Sequence, residues 1–266
     1  MPIDERQYWN ELADHYQRQT RISRIDFHYG PLLHGDSQFR LLPPKLDGLH
    51  CLELGCGGVQ NSLFLASKGA ICTATDISER QLYLARQSIA DCGTDIRLLQ
   101  ADMDALPIAP PSRFDLIHTN SLGFSRDPGA VVSHAANLLA PDGTLLAATH
   151  HTAFAGEWLE VDEEEEGMFL TDYHHPCPDL RESETASDAA ARCQAYAPSD
   201  VHHWFTAAGL LVDAFLEPVA PRLAAMTDAQ ISRTIPYDSP DWRALLPQLQ
   251  RFPFMSILRG RKMCAQ

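Results

Sequence analysis

A run of small residues, Gly55-Cys56-Gly57-Gly58, follows Glu53-Leu54, and an acidic residue, Asp76, stands 19 positions after Gly57. Glycines at such a turn let the main chain approach a ligand closely, and a helix opening behind it offers unpaired N–H groups to a negatively charged one. An aspartate at the end of the next strand can accept bonds from both hydroxyls of a ribose. Together these residues point to a nucleotide or nucleoside ligand. The dinucleotide form of the turn, G-x-G-x-x-G, requires glycine at position 60, where this chain has Gln60, so a pyrophosphate-bearing cofactor is disfavoured. His150 and His151 follow a later apolar run, and His150 is the candidate general base. His174-His175 and His202-His203 raise the question of a metal. Adjacent histidines point to opposite sides of a strand and lie about a hundred degrees apart on a helix, so they chelate poorly and no metal is expected.

Such residues need a scaffold that gathers strand ends. Between Leu49 and Ala148 short apolar runs alternate with helical patterns, which fits βα units and a parallel sheet covered on both faces. The runs predict strands at 50–54, 71–75, 96–99, 114–118 and 144–149. Ser78 and Gln81 have the spacing of a capping box, and Asp127-Pro128 reads as N-cap and N1 of a further helix. Asp4 and Gln7 open an N-terminal helix to about Arg18, with Trp9, Leu12, Ala13 and Tyr16 on one face. After His151 the pattern is lost until Ser199-Asp200, where a capped helix begins and Gly209 stops it. Strands are then expected at 210–216 and 254–258, the last pairing antiparallel at or near a sheet edge. The fold class expected is α/β: a Rossmann-like, doubly wound, seven-stranded, mostly parallel sheet with an antiparallel last strand, an N-terminal helix and an acidic cap insertion after the fifth strand. Residues 1–266 read as one domain, divided into a helical lid (1–45), a cofactor-binding core (46–151), the cap insertion (152–198) and a C-terminal helix with the last strands (199–266).

The string Cys51-Leu52-Glu53-Leu54-Gly55-Cys56-Gly57-Gly58 resembles motif I, E/D-x-G-x-G-x-G, of the class I S-adenosylmethionine-dependent methyltransferases, with Val59 at the third glycine position. Asp76, Asp102-Met103, Asn120 and Leu139-Ala140-Pro141-Asp142-Gly143-Thr144 resemble later motifs of that family in the same order, and the resemblance covers roughly residues 28 to 150. It is similar to the small-molecule type with a methyltransferase type 11/25-like domain. The resemblance implies S-adenosylmethionine as cofactor, held by Tyr29, Glu53, Gly55, Cys56, Gly57, Asp76, Ile77, Gln81, Asp102, Met103 and Asn120. In that picture Asp102 takes the adenine amine, Met103 packs the ring, and Tyr29 belongs to a lid. It also implies direct displacement of the methyl group by an oxygen or nitrogen of a small molecule, a specialised metabolite. Catalysis is then mostly placement of the reactants, with His150 as base only where the acceptor must lose a proton. Phe124, Tyr173 and Trp204 are candidates for the wall of an acceptor pocket. Two other readings stay open: a non-methylating S-adenosylmethionine-binding derivative, and an NAD(P)-dependent oxidoreductase. Gln60 and the lack of a Tyr-x-x-x-Lys pair disfavour the second.

The formal net charge of −14, from 21 Lys+Arg and 35 Asp+Glu, disfavours a nucleic-acid partner, whose affinity would come from neutralised phosphates. Asn120-Ser121-Leu122-Gly123-Phe124 also lacks the N/D-P-P-Y string of nucleic-acid amino-methyltransferases. Seven cysteines with no C-x-x-C pair fit a reducing compartment. With a polar start to the chain and no apolar run of bilayer-spanning length, the expectation is a soluble cytoplasmic protein with no membrane partner. The oligomeric state stays open, a homodimer being one option. Twelve acidic residues and one arginine fall between 151 and 190, around Asp162-Glu163-Glu164-Glu165-Glu166, so the rest of the chain is close to neutral. That run is either a solvated loop or a lid favouring a neutral or cationic acceptor.

Overall fold

The computed structural model describes residues 3–110, 113–162, 165–182 and 189–263, and side chains outside 160–165. The chain opens with helix α1 (Glu5–Thr20), capped by Asp4, whose side chain accepts from the Gln7 N–H at 2.9 Å. The expected return bond to the Gln7 side chain is not made, because the Asp4 N–H donates to the Ala190 carbonyl at 3.0 Å, and the Gln7 amide donates to Glu11. After the short helix α2 (Asp36–Phe39) the βα units follow: β1 (His50–Leu54), α3 (Gln60–Ser67), β2 (Ile71–Asp76), α4 (Glu79–Cys92), β3 (Ile96–Gln100), β4 (Phe114–Thr119), α5 (Pro128–Leu138) and β5 (Leu139–His150). The insertion forms two antiparallel hairpins, β6 (Glu157–Asp162) with β7 (Glu165–Phe169) and β8 (Asp179–Glu182) with β9 (Ala190–Cys193). Helix α6 (Pro198–Ala207) and β10 (Leu210–Leu216) return to the sheet, α7 (Asp228–Thr234), α8 (Pro240–Ala244) and α9 (Leu246–Leu249) cross above it, and β11 (Met255–Lys262) ends the fold.

The main sheet has seven strands in the order β10-β11-β5-β4-β1-β2-β3, parallel except where β11 pairs with β5 and β10. Strand order reverses at β1, which lies between β2 and β4, so the crevice for a ligand opens at their carboxyl ends. Leu116 and Ile117 of β4 belong to different core clusters, since successive strand side chains point to opposite faces and both faces are covered. The last strand pairs antiparallel near a sheet edge, as expected, with the edge itself taken by β10. β11 sits between β5 and β10, and its Ile257 and Leu258 are wholly buried. Helix α6 begins at Pro198 with Ala197 as N-cap and no side-chain cap, one residue before the expected Ser199 start, because Pro198 takes the N1 place its fixed φ suits.

Helix α1 lies against α4 through Arg6 with Glu79, Asp14 with Arg80 (2.7 Å), and Asn10, which accepts from the Ser78 hydroxyl at 2.7 Å. Exposed ion pairs are screened by solvent and contribute little to stability, so these contacts set the orientation of α1 more than its stability. Leu258→Ala is expected to lower unfolding free energy by about 2–5 kcal/mol in urea titration, because its core site on an interior strand cannot collapse around the lost atoms.

Candidate functional site

The turn after β1 is built on positive φ. Gly55 has φ +69°, and a Cβ there would meet the Ser121 hydroxyl at 2.5 Å and the Met103 methyl at 3.2 Å. Gly57 has φ +49°, and its N–H donates to one oxygen of Asp76 at 2.8 Å. Val59 takes the left-handed conformation too, with φ 60°. That conformation costs roughly 1–2 kcal/mol for a residue with a Cβ. The third glycine position of the motif therefore keeps its backbone path although a buried valine occupies it.

Asp76, at the end of β2, is 8% exposed. Its second oxygen accepts from the Ser78 N–H at 2.9 Å. Burial raises its pKa and the backbone donors at Ser78 and Gly57 oppose that shift. Each oxygen keeps a lone pair for another donor. Glu53 accepts from the Ser62 N–H at 3.2 Å and from the Ser62 hydroxyl, and burial pushes its pKa up to about 8. His118, its register partner on β4, comes within 3.9 Å but burial pushes its pKa down to about 3. Both groups are neutral near pH 7, so this contact is no ion pair.

A cavity of about 290 Å³ opens above these strand ends. Its walls include Glu53, Gly55, Cys56, Gly57, Asp76, Ile77, Gln81, Asp102, Met103, Asn120 and His150, so the structure brings all but one of the expected site residues together. Tyr29 is the exception. It is fully buried in the core, where its hydroxyl bonds Asp36 at 2.5 Å, and the neighbouring His28, Gly30 and Pro31 face the cavity instead. Gln81 departs from the capping-box expectation: its N–H donates to Ser78, but its side chain accepts from Gln17 of α1 at 2.9 Å and borders the cavity. Asp102 accepts from the Asp104 N–H at 2.9 Å and pairs with Arg126. Asn120 donates to the His28 carbonyl at 2.8 Å and so ties the 28–31 segment to the cavity wall.

His150 reaches the cavity with Nδ1 3.2 Å from the Cys193 sulfur. Burial, aided by Arg181, pushes its pKa down to about 3, which leaves a neutral imidazole that is a poor proton acceptor. His151 accepts from Ala153 N–H and bonds Glu217 at 2.7 Å, away from the cavity. Phe124 lines the cavity as expected, whereas Trp204 packs edge-on to Tyr196 and Tyr173 stands 42% exposed outside it. Of the acidic run, Glu163 and Glu164 and the side chains of Asp162 and Glu165 lie outside the described residues, and Glu166 pairs with Arg251 at 3.0 Å rather than facing the cavity.

Gln17, Tyr237, Trp242 and Arg181 are among the contributors to the cavity that were not expected from the sequence. Trp242 comes from α8 and Tyr237 from the segment between α7 and α8, helices whose signals were present as Thr227…Gln230, a complete capping box, and as Pro240 at a helix start. Tyr237 meets Tyr16 of α1, hydroxyl to hydroxyl at 3.2 Å, which closes the roof.

A family model described as methyltransferase domain matches residues 51–143. The ubiquinone biosynthesis O-methyltransferase of Azotobacter vinelandii is 32% identical over 106 residues, 40% of this chain and 46% of that protein. The chain thus spans about half the length of the curated relatives it matches. Among solved structures, an S-adenosylmethionine-dependent methyltransferase from Mesorhizobium loti superposes with a TM-score of 0.64 at 22% identity, over 85% of this chain and 95% of that one. One from Clostridium acetobutylicum does so with a TM-score of 0.55 at 17% identity, over 86% and 88%. These two show the fold.

The pKa of Glu53 has a consequence for stability. Its proton is lost near pH 4.5 in the unfolded chain and near 8 in the folded one, so between those values the folded state binds more protons and stability falls as pH rises. His28, His118 and His150, all pushed down from 6.5, act in the opposite sense but only below about that pH. Between about pH 6.5 and 8 the wild-type urea midpoint is therefore expected to drop more steeply than that of Glu53→Gln; equal slopes would contradict the neutral buried carboxyl.

Proposed function

We propose that this chain is a class I S-adenosylmethionine-dependent methyltransferase that binds S-adenosylmethionine in the cavity and methylates a small molecule, a reading supported by the methyltransferase-domain match over residues 51–143. The observation that carries this reading is the union of the Gly55–Gly57 turn with Asp76 in one cavity wall. The fit is specific. Gly55 leaves space that a side chain would fill, and the Asp76 oxygens each have capacity for a ribose hydroxyl beyond their backbone donors. Met103 and Ile77 supply apolar walls for adenine, and Asp102 an acceptor for its amine.

When bound, this cofactor supplies a methyl group already activated by the sulfonium. The chain's own contribution is placement and exclusion of water. Gln17 holds Gln81 and also accepts from Gln60 at 2.8 Å, so α1 closes over the glycine turn. His28 and His150 stay neutral and act as hydrogen-bonding walls rather than strong bases. Oxygen is the favoured acceptor atom, since the curated relatives carry O-methyltransferase names. A specialised metabolite remains the class of acceptor, and carboxylates around the cavity disfavour nucleic acid. No helix among the described residues is long and apolar enough to cross a membrane, and a cytoplasmic location is part of the proposal.

Asp76→Ala is expected to weaken S-adenosylhomocysteine binding ten- to a hundredfold in calorimetry, about 1.4–2.8 kcal/mol, as two charge-assisted bonds disappear. Unchanged binding would remove Asp76 from the site. Transfer of label from methyl-labelled S-adenosylmethionine into a metabolite extract tests the activity itself: cofactor binding with no labelled product would favour a non-methylating role.

A further inference from the structure

Among the described residues lining the cavity, Arg181 is the only lysine or arginine, set among the carboxyls of Glu5, Glu53, Asp76, Asp102 and Asp241. It comes from β8 of the insertion, and its side chain is 31% exposed, with the cavity on its open side. Its Nε–H donates to Asp179 at 2.7 Å. The two Nη groups have no acceptor among the described residues. The guanidinium stands 5.3 Å from the centre of the Phe124 ring. Phe124 begins a chain of edge-to-face or tilted rings along the wall: His150 at 6.0 Å, then Phe254 at 5.0 Å, then Trp242 at 4.7 Å. Trp9 of α1 meets Phe124 from the other side at 5.1 Å.

We propose that Arg181 is the specificity residue for the methyl acceptor, receiving the carboxylate of a planar aromatic acid on its free Nη groups while the ring wall takes the acceptor's flat face. This rests on the functional reading above. A guanidinium with two parallel N–H groups to offer matches a carboxylate in shape as well as charge. Flat aromatic walls bury a flat apolar body and fix its plane. Among the described residues lining the cavity, no other lysine or arginine competes for the role. His28 from the 28–31 segment and His150 from β5 are held neutral by burial, the Cys193 thiol on β9 stays protonated, and Tyr16 and Tyr237 are neutral hydroxyls. Asp179 balances Arg181 in part, but is 60% exposed and therefore well screened. The Phe124–His150–Cys193 side of the cavity lies at the ends of β4 and β5, whereas Asp76 and the glycine turn lie over β1 and β2, which sets Arg181 apart from Asp76 and the glycine turn.

The test is calorimetric titration of the full chain with 1-hydroxy-2-naphthoate and with its neutral carboxamide, each with and without saturating S-adenosylhomocysteine. The wild type is expected to bind the acid at least tenfold more tightly than the amide, and less so at high salt. Arg181→Met is expected to lose that preference by weakening the acid alone, and Arg181→Lys to keep part of it. Thermal midpoints of the variants verify that the chain still folds. Acid binding by Arg181→Met equal to wild type, or a wild type that does not prefer the acid, overturns the proposal. A loss of S-adenosylhomocysteine affinity in Arg181→Met also overturns it, since Arg181 would then serve the cofactor's own carboxylate. Failure of the wild type to bind S-adenosylhomocysteine at all would instead sink the functional reading, and the acid-to-amide ratio measured without it would still decide the role of Arg181.

Discussion

The carboxylate of Asp76 is the knot on which the site depends. One oxygen holds the Gly57 N–H of the turn after β1 and the other holds the Ser78 N–H that begins α4, so one buried side chain sets two loops at once. The parallel register of β1 with β2 brings these loops side by side, and Cys56 N–H adds a bond to the Thr75 carbonyl at 2.9 Å. Gly55 and Gly57 take positive φ without steric cost, and the conformational cost of that path falls on Val59.

From this knot the roof follows. Ser78 caps α4 and also donates to Asn10, so the residue that starts α4 fixes the helix lying above it. Helix α1 then delivers Gln17 to the glycine turn and Tyr16 to Tyr237, and the cavity is covered from two distant parts of the chain. Beneath it, Glu53 and His118 are both neutral and buried, which makes the floor of the site polar without placing a net charge under the ligand.

The insertion has two parts with different consequences. The β6–β7 hairpin leans on the 250–252 segment, through Trp158 against Phe252 and Arg251 with Glu166. The β8–β9 hairpin instead places Arg181 and Cys193 beside Phe124 and His150. The charged side chain that the insertion contributes to the cavity wall is therefore an arginine, although the segment as a whole is strongly acidic. Charge counted along a segment is a poor guide to the charge a ligand meets, because contact distance and screening decide the interaction.

Much of the core was legible in the sequence. The strands of the βα region, the order of their polar ends, the N-caps at Asp4, Ser78 and Asp127, and the glycine turn all follow from local rules: period-two burial, orphan helix N–H groups and the steric cost of positive φ. Local pattern did not distinguish Tyr29 from His28, since adjacent residues of an irregular segment point in opposite directions and only packing against Asp36 selects which faces the core. Nor did it show that Gln81 would turn from its cap to Gln17, because that partner is 64 residues away. The sequence by itself determined the class of ligand cradle, as the cradle is made of backbone and short-range spacing. The tertiary structure alone decided the burial of His150, the place of β11 and the identity of the cavity's arginine, because burial, strand order and long-range contact are set by parts of the chain far apart in sequence.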